Sequence, residues 1–148
     1  MINHHIKIIE PQTPKEFEAY YLVRFNTLRK PWGQPAGSEK DQHEQDSFHA
    51  MAIANTGNVL GVCRLQYNSP SEGQLRFMGV TEDARGMGIG KLLLEYLEKK
   101  AKDSGATTMI LQARENAVPF YLKCGYSIKE KTHLLWGEIQ HYLMSKEL

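Results

Sequence analysis

The sequence predicts a mixed α/β (α+β) fold, with a central, mostly antiparallel sheet and helices packed on it. Three observations predict this. Strand-like runs at 48–54, 59–67 and 74–80 are separated only by short turn sequences, which describes an antiparallel meander. An amphipathic helical run then links the third of these to another apolar run at 107–112, a β-α-β crossover that requires a locally parallel pair. Between strand and helix stands Asp83-Ala84-Arg85-Gly86-Met87-Gly88-Ile89-Gly90-Lys91-Leu92, a glycine turn of the kind that offers backbone amides to an anion.

The elements follow in order. Ile6 to Ile9 reads as a short opening strand. Thr13-Pro14-Lys15-Glu16 places Thr at N-cap, Pro at N1 and Glu at N3, a capping box that opens a helix running to about Leu28. Phe17, Tyr20, Tyr21, Val23, Phe25 and Leu28 give it more than one apolar stripe. Lys30 to Asp46 is a long polar segment, the kind of connection that is often functional; from Ser38 it has the composition for one or two helical turns. Asn55-Thr56-Gly57-Asn58 is a hairpin turn between the strands at Phe48–Ala54 and Val59–Tyr67. In Gln74–Val80 strict alternation puts Leu75, Phe77 and Gly79 on one face, Arg76 and Met78 on the other. The helix from about Gly88 to Ser104 keeps Ile89, Leu92, Leu93, Tyr96, Leu97 and Ala101 in helical spacing, with Glu95–Lys99 and Glu98–Lys102 as i,i+4 pairs and Gly105 at C′. Thr107 to Gln112 reads as a buried strand and Ala117 to Lys123 as a short helix closed by Cys124-Gly125. Tyr126–Leu134 and Ile139–Met144 are final strands paired across Leu135–Glu138.

The 148 residues fit one domain, 1–148, with its own core. A net charge of +1 gives no reason to expect nucleic acid or an acidic membrane as partner. No apolar run approaches the roughly 18 residues of a membrane span, and the first residues lack a signal-peptide core. Two cysteines, Cys63 and Cys124, point to a reducing cytoplasm more than to a disulfide framework, and their spacing is not that of metal ligands. His4, His5, His133 and His141 stand where packing or solvent accounts for them; no metal site is expected.

Two readings of the glycine turn fail on spacing. A P-loop needs G-x-x-x-x-G-K-S/T, but its first glycine falls at Arg85 and Leu92 replaces the magnesium ligand. A dinucleotide fingerprint needs G-x-G-x-x-G, and its third glycine falls at Lys91. What remains, R-G-x-G-x-G at a helix start, suits a diphosphate: glycines remove Cβ atoms, amides converge, and Arg85 or Lys91 adds charge.

Arg85-Gly86-Met87-Gly88-Ile89-Gly90 resembles the Q/R-x-x-G-x-G/A signature of the GNAT-superfamily N-acetyltransferases, preceded by a similar Val80-Thr81-Glu82-Asp83-Ala84 lead-in. Asn116 to Tyr126 is similar to the N-x-x-A-x-x-F-Y-x-K-x-G-F segment of that family, with one residue fewer before Phe120-Tyr121. The resemblance covers most of the chain, from about Ile6, and Leu28–Pro35 with His141–Lys146 is similar to small bacterial members. It implies acetyl-CoA as co-substrate, bound in a cleft where Gln74–Val80 and Thr107–Gln112 splay apart. The pyrophosphate would lie on amides of Arg85, Gly86, Met87, Gly88, Ile89, Gly90 and Lys91. The pantetheine arm would pair along Met78, Gly79 and Val80, and Asn116 and Phe120 would flank the cofactor. The Val80 amide would face the developing oxyanion, and Tyr121 would protonate the departing thiolate or only position the sulfur.

The resemblance further implies N-acetyl transfer to a primary amine, on a small molecule or a peptide. The general base is open among His43, Glu44, His49 and Glu72. Arg76, Trp32 and Glu44 are candidate acceptor contacts; Arg76 also reads as an ordinary strand residue and Trp32 as a plug between helix and sheet. A non-catalytic acyl-CoA sensor is the alternative, with Tyr121 as the residue that favours the enzyme. A homodimer through an edge strand or the last hairpin is compatible with the pattern.

Overall fold

The computed structural model describes residues 5–148; His4 lies outside them. β1 (Lys7–Ile9) leads to α1 (Pro14–Leu28), which starts on the expected box: Thr13 Oγ1 accepts from the Glu16 amide at 3.1 Å, and Glu16 Oε1 accepts from the Thr13 amide at 3.0 Å. The meander follows as β2 (Phe48–Ile53), β3 (Val59–Ser69) and β4 (Glu72–Val80). α2 (Ile89–Asp103), β5 (Thr108–Arg114), α3 (Val118–Lys123), β6 (Ser127–Leu135) and β7 (Ile139–Glu147) complete the chain.

Among the described residues seven strands form one sheet in the order β1-β2-β3-β4-β5-β7-β6. Every pairing is antiparallel except β4 with β5, the parallel pair that the crossover demands. Alternation sorts the core into two layers. Ala50, Ala52, Leu65, Leu75, Met109 and Leu111 face α2, where Leu93, Leu94 and Leu97 meet them; Met51 and Val62 face Tyr20 of α1. α1 and α2 therefore cover opposite faces.

The β4–β5 pairing runs only from Glu72↔Thr108 to Leu75↔Leu111. Beyond it β5 stays with β7 as far as Arg114↔His141, while β4 stays with β3 as far as Val80↔Gly61. The sheet thus divides between Arg76–Val80 and Gln112–Arg114. β4 leaves regular pairing at Phe77, a non-glycine residue at φ 56°, where one residue of β3 faces two of β4.

That bulge corrects the alternation expected from the sequence. Leu75, Met78 and Val80 share the α2 face. Gly79 lies against α1, where a Cβ would collide with Thr27 Oγ1. Arg76 and Phe77 sit together on the α1 side, with the Arg76 guanidinium carbon 5.1 Å from the Phe77 ring centre.

Two smaller expectations change. The segment after Ser38 forms hydrogen-bonded turns and not helix. On α2, Lys99 pairs with Asp103 at 2.8 Å, and Glu98 with Lys146 of β7 at 3.1 Å, in place of the anticipated i,i+4 partners.

Candidate active site

The divergence of β4 and β5 opens a cleft of about 1130 Å³. The glycine turn forms one wall. Gly86 at φ 83° and Gly88 at φ 78° hold left-handed conformations that side chains resist. Gly88 is the N-cap of α2, so no side chain caps the first turn, and the amides there keep their donors for a ligand in the positive end of the helix dipole. Gly90 is glycine for another reason: a Cβ would stand 3.3 Å from the Phe120 ring. Arg85, Gly86, Gly88, Ile89, Gly90 and Lys91 all line the cleft; Met87 is 40% exposed and does not, which leaves it only a backbone part in the turn.

Met78, Gly79 and Val80 line the cleft along a strand edge that lacks a β5 partner. Asn116, Phe120 and Tyr121 line it from the α3 side. Tyr121 is 6% exposed and wedged between Phe120 and Tyr126, with ring centres 5.0 and 5.9 Å away. Burial pushes its phenol well above the ordinary range, so it stays protonated at neutral pH.

The α1 side supplies Arg76 and Trp32. Trp32 sits in a single 3-10 turn at Lys30–Trp32, lines the cleft, and lies 6.4 Å from Trp136 of the β6–β7 turn. Trp136 is itself held at φ 52°.

Glu44 does not line the cleft. Its Oε2 accepts from Arg24 Nη1 at 2.8 Å and Arg64 Nη1 at 2.9 Å, and its Oε1 accepts from Tyr21 at 3.1 Å. Both arginines are fully buried, which explains why the loop beside them is acidic: Asp41 also takes two hydrogen bonds from Arg64. Burial works to raise the Glu44 carboxyl, but the Arg24 hydrogen bond and charge hold it below the usual range. A base must be free to take a proton, so we assign Glu44 to the structure and not to the acceptor. His49 is likewise occupied; its Nε2 donates to the Glu44 carbonyl and its Nδ1 meets Tyr20 Oη at 2.7 Å. His43 and Glu72 are also outside the cleft lining.

Two residues set aside in the sequence stand in the cleft instead. His133 of β6 and His141 of β7 stack with ring centres 4.3 Å apart and an interplanar angle of 15°. The Ile139 carbonyl lies 3.0 Å from His141 Nδ1 and can only accept, so Nδ1 carries the proton and Nε2 keeps a lone pair. Burial first, then His133, Arg114 and Arg76, keeps His141 below its ordinary value of 6.5 and therefore neutral at pH 7.

Comparison with known proteins agrees with this geometry. The sequence model of the Acetyltransferase (GNAT) family matches residues 11–126. The chain is 30% identical over 142 residues to the uncharacterized N-acetyltransferase YjcF of Bacillus subtilis, covering 96% of this chain and all of that one. An aminoglycoside 6'-N-acetyltransferase solved with coenzyme A superposes with a TM-score of 0.78 at 18% identity, covering 96% of both chains. A GNAT-family acetyltransferase of Elizabethkingia anophelis with acetyl-CoA bound gives 0.74 at 18% identity, over 98% of this chain and 99% of that one. A glycine turn at a helix start, a divided sheet and a family match over most of the sequence carry one conclusion: the chain belongs to the GNAT acetyltransferase family, as an acyltransferase with acetyl-CoA as co-substrate.

Proposed function

We propose that the chain acetylates a primary amine by direct attack on the thioester of acetyl-CoA, with Tyr121 as the acid that protonates the departing thiolate. The observation that carries this reading is the unpaired β4 edge, Arg76–Val80, lying in one cleft with the uncapped glycine turn and a buried, protonated tyrosine. In this reading the amides of Arg85–Gly90 hold the pyrophosphate, Lys91 adds charge, and Asn116 and Phe120 flank the cofactor. The edge at Met78–Val80 pairs with the pantetheine arm, and the Val80 amide faces the carbonyl oxygen as negative charge develops. The amine nitrogen bonds to the carbonyl carbon, the carbon–sulfur bond breaks, and the sulfur takes the Tyr121 proton. His141 accepts the ammonium proton at Nε2, directly or through a water. A reducing cytoplasm, where Cys63 and Cys124 are the free thiols seen here, fits the same reading. A homodimer through the open β6 edge belongs to it too, and sedimentation equilibrium decides that point.

The test measures acetyl-CoA binding by calorimetry and CoA release against a panel of amines. Tyr121→Phe is expected to lower kcat by about 100-fold while leaving acetyl-CoA affinity unchanged. Equal turnover in the variant sinks the acid role. Tight binding of acetyl-CoA with no turnover of any amine favours the non-catalytic sensor instead.

His141→Gln is expected to lower kcat by about 100-fold as well, and to change the pH profile. The unprotonated imidazole is the active form, so activity falls as pH drops through its pKa. Burial and neighbouring cations hold that pKa below 6.5, so the wild-type limb lies on the acid side of that value. The limb should vanish in His141→Gln; a profile that keeps it assigns the proton to another group.

A further inference from the structure

The charge of the cleft is one-sided. Arg29, Arg76, Arg85, Lys91 and Arg114 line it, and among the described residues no Asp or Glu does. Four of the five cations fall into two groups. Arg85 and Lys91 belong to the glycine turn and the α2 face, where the cofactor phosphates are proposed to lie. Arg76 and Arg114 belong to the opposite face: Arg76 sits beside Phe77 toward α1, and Arg114 pairs in register with His141, while the preceding Leu111 and Ala113 point into the α2-side core.

Among the described residues these two arginines pair with no acid; the Arg76 guanidinium rests only against the Phe77 ring. The buried Arg24 and Arg64 consume Glu44 and Asp41. Arg29 spends two donors on the carbonyls of Ser38 and Leu28. Arg76 and Arg114 donate to no side chain or carbonyl among the described residues, although both are half-buried. Burial first, then Arg64, lowers the pKa of Arg76 against the opposing pull of Asp41 and Glu44; burial first lowers that of Arg114 as well, with Tyr121 opposing and Arg85 adding to it. A guanidinium with free donors in a concave, acid-free wall is built to take a planar or tetrahedral oxyanion.

We propose that the acceptor amine also carries an anionic group, a carboxylate or a phosphate, which Arg76 and Arg114 bind on the α1 side of the cleft. The inference rests on the amine-acetylation reading and names the acceptor class within it. The same wall repels polycations, because an additional ammonium would find no carboxylate there. Trp32 and Trp136 line the same cleft and give the acceptor's carbon skeleton an apolar flank.

The experiment compares amines in matched pairs at saturating acetyl-CoA: L-phenylalanine with its amide, L-glutamate with L-glutamine, and O-phosphoethanolamine with ethanolamine, with spermidine as the polycation. One acid of the set is expected to exceed its partner in kcat/KM by about 10-fold or more, and spermidine to be a poor substrate. Whether an amino acid or the phosphate ester leads separates the two anion types. Arg76→Gln and Arg114→Gln should each raise KM for that acid by about 10-fold, with acetyl-CoA affinity kept and the preference over the neutral partner lost. Arg76→Lys, which retains charge without the fork, should recover part of it, and thermal midpoints confirm that the variants fold. Preference for the neutral or polycationic amines overturns the proposal. So does an acid preference that survives both Gln variants, or acetyl-CoA binding with no acid acetylated. Failure of the wild-type protein to bind acetyl-CoA overturns the acetyltransferase reading beneath it, a separate outcome.

Discussion

Gly88→Glu is expected to weaken acetyl-CoA binding by about 100-fold or more while the protein still folds. Two effects act together. Gly88 is at φ 78°, so any side chain costs about 1–2 kcal/mol of backbone strain and tilts the amides of the turn. A glutamate also brings negative charge to the place assigned to a diphosphate. Stability falls only by the strain, because nothing lies within 4 Å of a Cβ built there. Calorimetric titration with acetyl-CoA, beside a melting curve, reads both parts. Unchanged affinity with a lowered midpoint would mean that the cofactor lies elsewhere in the cleft. Loss of the fold itself would contradict the open surroundings of this glycine.

The largest stability loss is expected at Glu44. Among the described residues, Glu44→Ala leaves the fully buried Arg24 without an acidic partner and the fully buried Arg64 with Asp41 alone, and breaking a buried pair in this way costs about 3–5 kcal/mol. The two Nε atoms already lack partners among the described residues, so the network there has no spare acceptor to offer. Urea unfolding measures the loss, and Glu44→Gln, which keeps the shape and one acceptor, should lose less. The same network sets an acid limit. Burial works to raise Asp41, but Arg64 and the His43 amide hold it at about 2, below its ordinary 3.8. A depressed folded-state pKa means stability fully present above 3.8 and lost as pH falls toward 2. The Asp41→Asn variant should lack this part of the acid transition. A full transition in that variant would place the acid sensitivity elsewhere.

What was legible in the sequence is what local chemistry decides. Thr13 and Glu16 close a capping box within four residues, and Gly86 and Gly88 announce left-handed turns because no other residue adopts them cheaply. The meander and the parallel pair followed from turn composition and from one crossover; that β7, and not β6, lies beside β5 did not. Long-range consequences were harder to see. An aromatic at φ 56° carries no sequence signal; Phe77 is supported there by guanidinium groups from Arg24, Arg64, Arg76 and Arg29, which are remote or ambiguous in sequence. Glu44 read as a free acid in a polar loop, because the arginines that claim it are 20 residues away on either side. His133 and His141 were missed by half a residue of register. A turn drawn over Leu135–Glu138 sets His133 opposite Gln140, whereas the observed turn pairs Leu135 with Ile139 and brings the two histidines together. Centring that hairpin on Gly137 would have found them.

The two tryptophans that line the cleft are the chain's complete set, since the sequence holds Trp32 and Trp136 and no other. Excited selectively, the protein therefore emits from the site alone. Occupancy of the acceptor end can be followed through this built-in lamp, without a label and without a background from the rest of the fold. A ligand confined to the glycine turn should leave the emission largely as it was, and one reaching past Arg76 to the tryptophans should shift or quench it.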